Sequence, residues 1–222
     1  MTIAVVILAA GASTRLGEPK ALARIGAHTV LESLLAGALA LHGSERPVII
    51  TGAHHEAILA HVLALELAVD VVRNDAWAGG RTGSVAVAAT ARPGLDLVIA
   101  PADVPLVPER VFVALQDTWQ DAGQPAAGWL APWIEPPPTA AERTLRGPSS
   151  GPRLFGHPVL LGHKLARQAT TLPPDAPLRG LRESASPLLA VEVEDRQILD
   201  DLDSPGDLAR LRRRVAGDRS GR

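Results

Sequence analysis

Near its N-terminus the chain reads Ile3-Ala-Val-Val-Ile-Leu-Ala-Ala-Gly-Ala-Ser-Thr-Arg-Leu-Gly-Glu-Pro-Lys20. Residues 3–8 form an uninterrupted apolar run without polar alternation, which is typical of a strand covered on both faces in a parallel sheet. A loop of small residues follows this run and ends on a proline and a lysine. The stretch therefore predicts an α/β protein with a small-residue loop at the carboxyl end of its first strand.

The rest of the chain alternates strands and helices. Further strands are predicted at residues 48–51, 69–73, 96–100, 128–134, 159–161 and 188–193. Helices are predicted at residues 29–41, 56–67, 84–90, 109–121 and 204–215. The alternation indicates βαβ units, so we expect a three-layer, Rossmann-like α/β/α sandwich with a mostly parallel twisted sheet. We expect one domain over residues 1–216, with a Pro/Gly-rich excursion at 135–152 and a disordered tail at 217–222.

The composition excludes several classes of protein. The 222 residues include 22 Lys and Arg, 24 Asp and Glu and no Cys, for a formal net charge of −2. Without cysteine, a disulfide framework, a Cys-ligated zinc site, an iron–sulfur cluster and a thiol nucleophile are excluded. The near-neutral balance gives no electrostatic footprint for nucleic acid. No segment approaches the roughly 20 apolar residues of a membrane span, and the N-terminal run lacks the basic region of a signal peptide. We therefore expect a cytoplasmic protein with neither nucleic acid nor membrane as a partner.

The loop after the first strand predicts a binding site for a polyphosphate. Small residues let the backbone approach a ligand closely, outward N–H groups attract anions, and Arg15 and Lys20 add full charges. Lys20 is one of only two lysines among the 22 basic residues, and a compact ammonium acts on phosphate as a point charge. The loop matches neither the P-loop nor the dinucleotide fingerprint. The alternative interpretation is a connection that needs glycine only for its turns.

One aspartate is a candidate ligand for a divalent cation. Asp103 follows a buried apolar strand and Pro101, which places it outside the carboxyl end of a parallel strand, where open α/β sheets bind ligands. Mg²⁺ typically takes one or two carboxylates together with substrate phosphates. The alternative role for Asp103 is to form a turn between two prolines. His54 and His61 would share a helix face, but no carboxylate of suitable spacing completes a zinc site there.

Five segments, in order, resemble the motifs of the MobA-like nucleotidyltransferases, which have the nucleotide-diphospho-sugar transferase fold. They are residues 8–20, 74–84, 101–106, 156–159 and 202–207. Within that group the motifs are most similar to those of the molybdenum cofactor cytidylyltransferases. The resemblance implies Mg²⁺-dependent transfer of a nucleotidyl group, CMP from CTP being favoured, to a phosphorylated acceptor such as molybdopterin, with release of pyrophosphate. It also implies a molybdoenzyme or its chaperone as a protein partner.

The resemblance assigns roles to individual residues. Nucleotide binding is expected of Leu8, Ala9, Ala10, Gly11, Ser13, Arg15, Lys20, Asn74, Gly80 and Ser84. The catalytic residues implied are Arg15, Lys20 and Asp103. The metal ligands implied are Asp103 and Asp203, with Asp200 and Asp201 as nearby substitutes for the second. The acceptor is expected to bind His157 and Arg179.

The chain departs from the family pattern at three positions. Pro174 and Pro177 stand where the subgroup has glycines, and proline removes a donor and fixes φ. Arg81 replaces the usual Met. Three alternatives therefore stay open: the same chemistry with GTP or on a sugar phosphate, a nucleotide-binding protein that has lost turnover, and a Rossmann-type oxidoreductase, whose glycine fingerprint is missing here.

Overall fold

The computed structural model describes residues 2–136 and 153–220, so most of the predicted excursion at 135–152 lies outside the described residues. The strands in the described part are β1 (Ile3–Ala9), β2 (Arg24–Ile25), β3 (His28–Thr29), β4 (Glu45–Thr51), β5 (Asp70–Arg73), β6 (Asp96–Pro101), β7 (Trp129–Ile134), β8 (Leu154–Phe155), β9 (Val159–Leu161) and β10 (Leu188–Glu192). The α-helices are α1 (Val30–Leu39), α2 (His55–Ala64), α3 (Arg81–Ala91), α4 (Glu109–Asp121), α5 (His163–Gln168), α6 (Arg179–Glu183) and α7 (Pro205–Ser220).

Eight of these strands form one sheet. Its order is β10-β7-β9-β6-β1-β4-β5. The short strand β8 pairs with the last two residues of β7. The pairs of β1 with β4 and β6, of β4 with β5 and of β10 with β7 are parallel. The short strand β9 runs antiparallel to both β6 and β7. The predicted mostly parallel α/β sheet is confirmed.

Both faces of the sheet are covered. All seven residues of β1 are buried, as predicted from its uninterrupted apolar run. Ile3, Val5 and Ile7 contribute to one core together with residues of α1, α2, α4 and α7, whereas Ala4 and Val6 contribute to the other with residues of α3, α5 and α6. This division gives the predicted three layers, with the helices on either side of the sheet.

A buried carboxylate joins the sheet to two helices. Asp96 begins β6 and is fully buried. Its Oδ2 accepts a hydrogen bond from the indole N–H of Trp119 on α4 at 2.9 Å, and its Oδ1 accepts one from the backbone N–H of His163 on α5 at 2.8 Å. Because α4 and α5 lie on opposite faces of the sheet, this one side chain links all three layers.

Several helix boundaries differ from the predictions, and α2, for example, ends at Ala64 where residue 67 was predicted. Helix α3 begins at Arg81, three residues before the predicted start at 84, because Gly80 with φ of +134° ends the preceding turn and the helix begins directly after it. Helix α7 continues to Ser220, over most of the segment for which a disordered tail was predicted, and residues 221–222 lie outside the described part. The described helices include none with the length and apolar character needed to span a membrane.

Candidate active site

A cavity of about 330 Å³ lies beyond the carboxyl ends of β1 and β6. Nine of the ten residues predicted to bind nucleotide line it: Leu8, Ala9, Ala10, Gly11, Ser13, Arg15, Lys20, Gly80 and Ser84. Both predicted metal ligands, Asp103 and Asp203, line it as well. The four segments of sequence that supply these residues are far apart along the chain, and the fold brings them to one edge of the sheet.

The loop after β1 holds Lys20 in place through Ser13. Ser13 has φ of +53°, and its carbonyl accepts the backbone N–H groups of Leu16 and Gly17 at 3.0 and 3.2 Å. The Ser13 hydroxyl accepts the backbone N–H of Lys20 at 3.1 Å. The turn at residues 13–17 therefore returns the chain so that the Lys20 side chain faces the cavity.

The space beside Gly11 is not filled by any described residue. A Cβ at position 11 would meet no atom of the described residues within 4 Å, and the φ of Gly11 is not in the left-handed region. Neither packing nor backbone strain therefore demands glycine there. The contrast is with Gly52, where a Cβ would lie 2.5 Å from the Ala10 carbonyl oxygen and from Cβ of Trp77. Gly52 is needed for packing, whereas the open space at Gly11 suits close approach of a ligand.

The loop after β4 contacts the backbone of the loop after β1 and stabilises it. The backbone N–H of Ala53 donates to the Ala10 carbonyl at 3.0 Å. Nε2 of His54 lies 2.9 Å from the Ala12 carbonyl oxygen. His54 lines the cavity, and its ring is committed to this backbone contact. His61 contacts Thr29 and the Glu32 carboxylate.

Asp203 forms ion pairs with both predicted phosphate-binding cations. Its Oδ1 accepts from Nζ of Lys20 at 2.5 Å, and its Oδ2 accepts from Nη2 of Arg15 at 3.1 Å. The hydrogen bond from Lys20 holds the pKa of Asp203 below its usual value, against the opposing effect of burial. One carboxylate therefore pairs with both side chains that were predicted to face a polyphosphate.

The start of α7 fixes the position of Asp203. The Asp207 carboxylate accepts the Asp203 and Ser204 backbone N–H groups at 3.2 and 2.9 Å and the Ser204 hydroxyl at 2.7 Å. These hydrogen bonds, that of the Ser204 hydroxyl first, lower the pKa of Asp207 to about 2. The Leu202 N–H donates to the Asp103 carbonyl at 2.8 Å, which ties this helix start to the other predicted metal ligand.

The two possible substitutes for Asp203 lie outside the cavity lining. Asp200 pairs with Arg210 and Arg214 on α7. Burial raises the pKa of Asp201, and repulsion from Asp103 and Asp203 adds to the increase. Asp203 is therefore the residue of this acidic run that faces the cavity.

Asp103 has one paired and one unpaired oxygen. Its Oδ2 accepts from Nη2 of Arg81 at 2.6 Å, whereas its Oδ1 is buried and has no hydrogen-bond partner among the described residues. The backbone beside it is held by a hydrogen bond from the Ala102 N–H to the Leu8 carbonyl at 3.0 Å. An unpaired buried carboxylate oxygen is costly, and a divalent cation would satisfy it.

His157 lies next to this pair, in two adjoining cavities of about 320 and 160 Å³. Burial lowers the pKa of His157, the Asp103 charge opposes that effect, and the Arg81 charge adds to it. Its Nδ1 is also buried and has no hydrogen-bond partner in the described part of the chain. The smaller cavity shares Leu8 and Arg81 with the main one, so His157 lies in a cavity that adjoins the one lined by the loop after β1.

Two predicted site residues occupy other positions. Asn74 is buried, donates to the Ser84 hydroxyl at 3.1 Å and accepts the Ala76 backbone N–H at 3.0 Å. It orders the loop before α3 and does not line the main cavity. Arg179, predicted to bind the acceptor, begins α6 and lines none of the three cavities described here.

The segment that carries the unusual prolines packs against the start of α3. The Pro174 carbonyl accepts the Gly83 N–H at 3.3 Å, and the Thr82 hydroxyl donates to the Ala176 carbonyl at 2.5 Å. A Cβ at Gly80 would lie 2.4 Å from the Pro174 carbonyl oxygen. The prolines thus shape one wall beside the cavity, through backbone carbonyls that proline retains.

Sequence reasoning missed the role of Arg81. It appeared only as a departure from a family motif, yet it is the ion-pair partner of Asp103 and lines two cavities. The signal that could have revealed it was charge, since a basic side chain in the first turn of a helix is unfavourable unless an anion is nearby.

Comparisons with known proteins agree with this geometry. The family described as MobA-like NTP transferase domain matches residues 5–190. Bifunctional protein GlmU of Rhodococcus opacus strain B4 is 35% identical over 158 residues, 67% of this chain, and the chain spans about a third (31%) of its length. The solved structure of an Rv0371c homologue from Mycobacterium sp. strain JC1 is 26% identical, covers 96% of each chain and has a TM-score of 0.72. Rv0371c of Mycobacterium tuberculosis H37Rv in complex with manganese is 25% identical over 96% of this chain and 99% of that one, with a TM-score of 0.68.

The fold and the family match define this chain as a nucleotidyltransferase domain. It belongs to the MobA-like NTP transferase family, which confirms the predicted family and enzyme class.

Proposed function

We propose that the protein transfers a nucleoside monophosphate from a nucleoside triphosphate to a phosphorylated small molecule in the cytoplasm and releases pyrophosphate. CTP is the favoured donor and molybdopterin the favoured acceptor, with a molybdoenzyme or its chaperone receiving the product. The observation that carries the proposal is the joint lining of one cavity by the loop of Gly11, the cations Arg15 and Lys20, and the carboxylates Asp103 and Asp203. Anion-binding groups and cation-binding groups face the same space, as a metal–triphosphate requires.

The donor set suits Mg²⁺. Asp103, with its unpaired Oδ1, and Asp203 would hold the ion. The described residues contain no group of three or more side chains arranged for a metal, so the remaining ligands would come from phosphates and water, as is usual for Mg²⁺. The manganese in the Rv0371c complex supports a divalent cation. When bound, Mg²⁺ supplies neutralisation of charge on the phosphate oxygens.

The residues of this chain do the positioning. When the triphosphate binds, Lys20 and Arg15 leave Asp203 and contact the β- and γ-phosphates. The backbone beside Gly11 lies close to the triphosphate. An acceptor phosphate oxygen forms a bond to the α-phosphorus as the bond to the bridging oxygen breaks, and that oxygen leaves with pyrophosphate. The acceptor phosphate is already anionic near neutral pH, so no general base is required, and catalysis rests on orientation and electrostatic stabilisation. His157, next to Asp103, lies on the acceptor side.

The first experiment identifies the substrates. Pyrophosphate release is measured with CTP, GTP, UTP and ATP in the presence of Mg²⁺, first with molybdopterin and then with sugar phosphates. We expect release with CTP and molybdopterin. Release only with GTP or a sugar phosphate would change the substrate assignment, and triphosphate binding without release under any condition would indicate a protein that has lost turnover.

Asp103→Asn tests the metal assignment. The substitution should reduce the rate about 100-fold or more, because it removes charge from a proposed metal ligand. The matched control is Asp75→Asn, since Asp75 is an exposed aspartate that pairs with Arg73 outside the cavity. A near-normal rate of Asp103→Asn at saturating Mg²⁺ would refute the assignment.

Lys20→Arg tests the phosphate contact. The planar guanidinium keeps the charge but cannot reproduce the compact ammonium that Ser13 positions. We expect KM for the triphosphate to rise about tenfold, with the melting temperature unchanged. An unaltered KM would show that charge alone suffices at position 20.

A further inference from the structure

Arg81 is the one Lys or Arg side chain of the main cavity, among the described residues, that the proposed function leaves without a role. Its guanidinium is 2.6 Å from Oδ2 of Asp103, and the Arg81 side chain is 51% exposed. The other two cations that line this cavity, Arg15 and Lys20, pair with Asp203. Each predicted metal ligand therefore pairs with its own basic side chains.

The location of Arg81 is unfavourable for a positive charge without an anion. It is the first residue of α3, at the positive end of the helix dipole. Asp103 supplies the compensating charge through its Oδ2. A divalent cation that binds Oδ1 of Asp103, which has no hydrogen-bond partner among the described residues, neutralises that charge, so the guanidinium then needs another anion.

The cavities indicate where that anion lies. Arg81 lines both the main cavity and the smaller adjoining cavity that contains His157. The triphosphate has the loop of Gly11 and the cations Arg15 and Lys20, which line the main cavity but not the smaller one. A guanidinium offers planar, two-pronged donation that fits a phosphate group, and at this junction it can contact the phosphate of the acceptor.

We infer that Arg81 competes with the divalent cation for Asp103 and, once displaced, binds the acceptor phosphate. The inference rests on the proposed function and adds to it a residue that determines acceptor binding. It also assigns a role to the position at which this chain departs from its family motif.

The first test measures metal binding without turnover. Mn²⁺ is titrated by electron paramagnetic resonance, without nucleotide, into the wild type, Arg81→Gln, Arg81→Lys, Asp103→Asn and the control Arg73→Gln. Arg73 matches Arg81 in exposure, at 51%, and pairs with Asp75 outside the cavity. Losing a partly exposed ion pair should tighten Mn²⁺ binding by Arg81→Gln about threefold to tenfold. Arg81→Lys and Arg73→Gln should resemble the wild type.

The outcomes separate this inference from the proposed function. In one outcome, Asp103→Asn binds Mn²⁺ weakly and Arg81→Gln binds it no more tightly than the wild type. That result overturns competition between Arg81 and the metal ion for Asp103, while the assignment of Asp103 as a metal ligand stands. If the wild type and Asp103→Asn bind Mn²⁺ equally, both fail. Thermal unfolding checks that the variants are folded, which we expect because the ion pair is partly exposed.

The second test measures the Michaelis constants for both substrates. Arg81→Gln should raise KM for the acceptor about tenfold or more and leave KM for the triphosphate within about twofold. Arg81→Lys should give an intermediate acceptor KM, because it keeps the charge and loses the planar fork. An increase confined to the triphosphate KM would place Arg81 on the donor and overturn the assignment to the acceptor.

Discussion

Gly11→Ala separates a requirement of the ligand from a requirement of the fold. Within the part of the chain that the structure describes, a Cβ at position 11 meets no atom within 4 Å, and the backbone there is not in the left-handed region. The folded chain accepts the methyl group without strain, and the unfolded chain loses conformational freedom. We therefore expect the free energy of unfolding to stay the same or to rise by up to about 1 kcal/mol.

The rate of the reaction with the triphosphate should fall in Gly11→Ala, although the stability does not. The new methyl group points into the space in which we place the phosphates, and it would displace them by about 1 Å. A misplacement of that size costs about 100-fold in rate, or about 2.7 kcal/mol of transition-state stabilisation. The assay is pyrophosphate release as a function of triphosphate concentration, with thermal unfolding measured on the same samples.

Gly180→Ala is the matched control. Position 180 lies in α6, a Cβ there also meets nothing within 4 Å, and the residue lines none of the three cavities. This variant should keep wild-type activity. If Gly11→Ala retained activity within about threefold of the wild type while remaining folded, close approach of the phosphates to residue 11 would be refuted.

Two further predictions concern stability. Asp96→Ala should lower the free energy of unfolding by about 3–5 kcal/mol, because it leaves the Trp119 indole N–H and the His163 backbone N–H without their acceptor; a loss below about 1 kcal/mol in chemical denaturation would contradict this. Burial raises the pKa of Asp70, but the hydrogen bond and charge of Arg92 more than offset it, so the net pKa is lowered. The stabilisation is therefore fully present above the ordinary pKa of 3.8 and disappears as the pH falls through the lower folded-state value. Asp70→Asn should cost up to about 1 kcal/mol at pH 7 and flatten the acid limb of stability against pH, and an unchanged limb would refute the pairing.

The elements of the fold could be predicted where the local pattern carried the information. The apolar run of β1 and the capping box at the start of α1, in which Thr29 and Glu32 bond each other's backbone N–H, are both local features. The antiparallel insertion of β9 between β6 and β7 could not be predicted. Three apolar residues, Val159–Leu161, fit either strand direction, and the direction depends on contacts with distant segments.

The residues of the candidate site also divide into those that the local sequence could predict and those that depend on tertiary contacts. The loop that ends at Lys20 is contiguous in sequence, so its small residues and charges were visible together, and the structure brings them to one cavity. The Arg81–Asp103 ion pair joins the start of α3 to the loop after β6, so its prediction needed the sheet order to be known. Asn74 matched a motif, yet its side chain is used within its own loop. A motif identifies a conserved kind of local structure, and the tertiary contacts decide which of its side chains reach the ligand.

Charge balance in the main cavity leads to a last prediction about the order of binding. Among the described residues, Arg15, Lys20 and Arg81 face Asp103 and Asp203, and all five are engaged with one another. A metal ion that enters alone must displace basic side chains into a cavity without an anion. A triphosphate that enters alone meets two carboxylates. The metal–triphosphate complex compensates both charges at once, so we expect the two ligands to strengthen each other's binding about tenfold or more, by the same factor in either order. Titration of Mn²⁺ with and without a non-hydrolysable triphosphate measures this factor. Equal Mn²⁺ affinities in the two titrations would mean that the ion pairs of Asp103 and Asp203 oppose the binding of neither ligand.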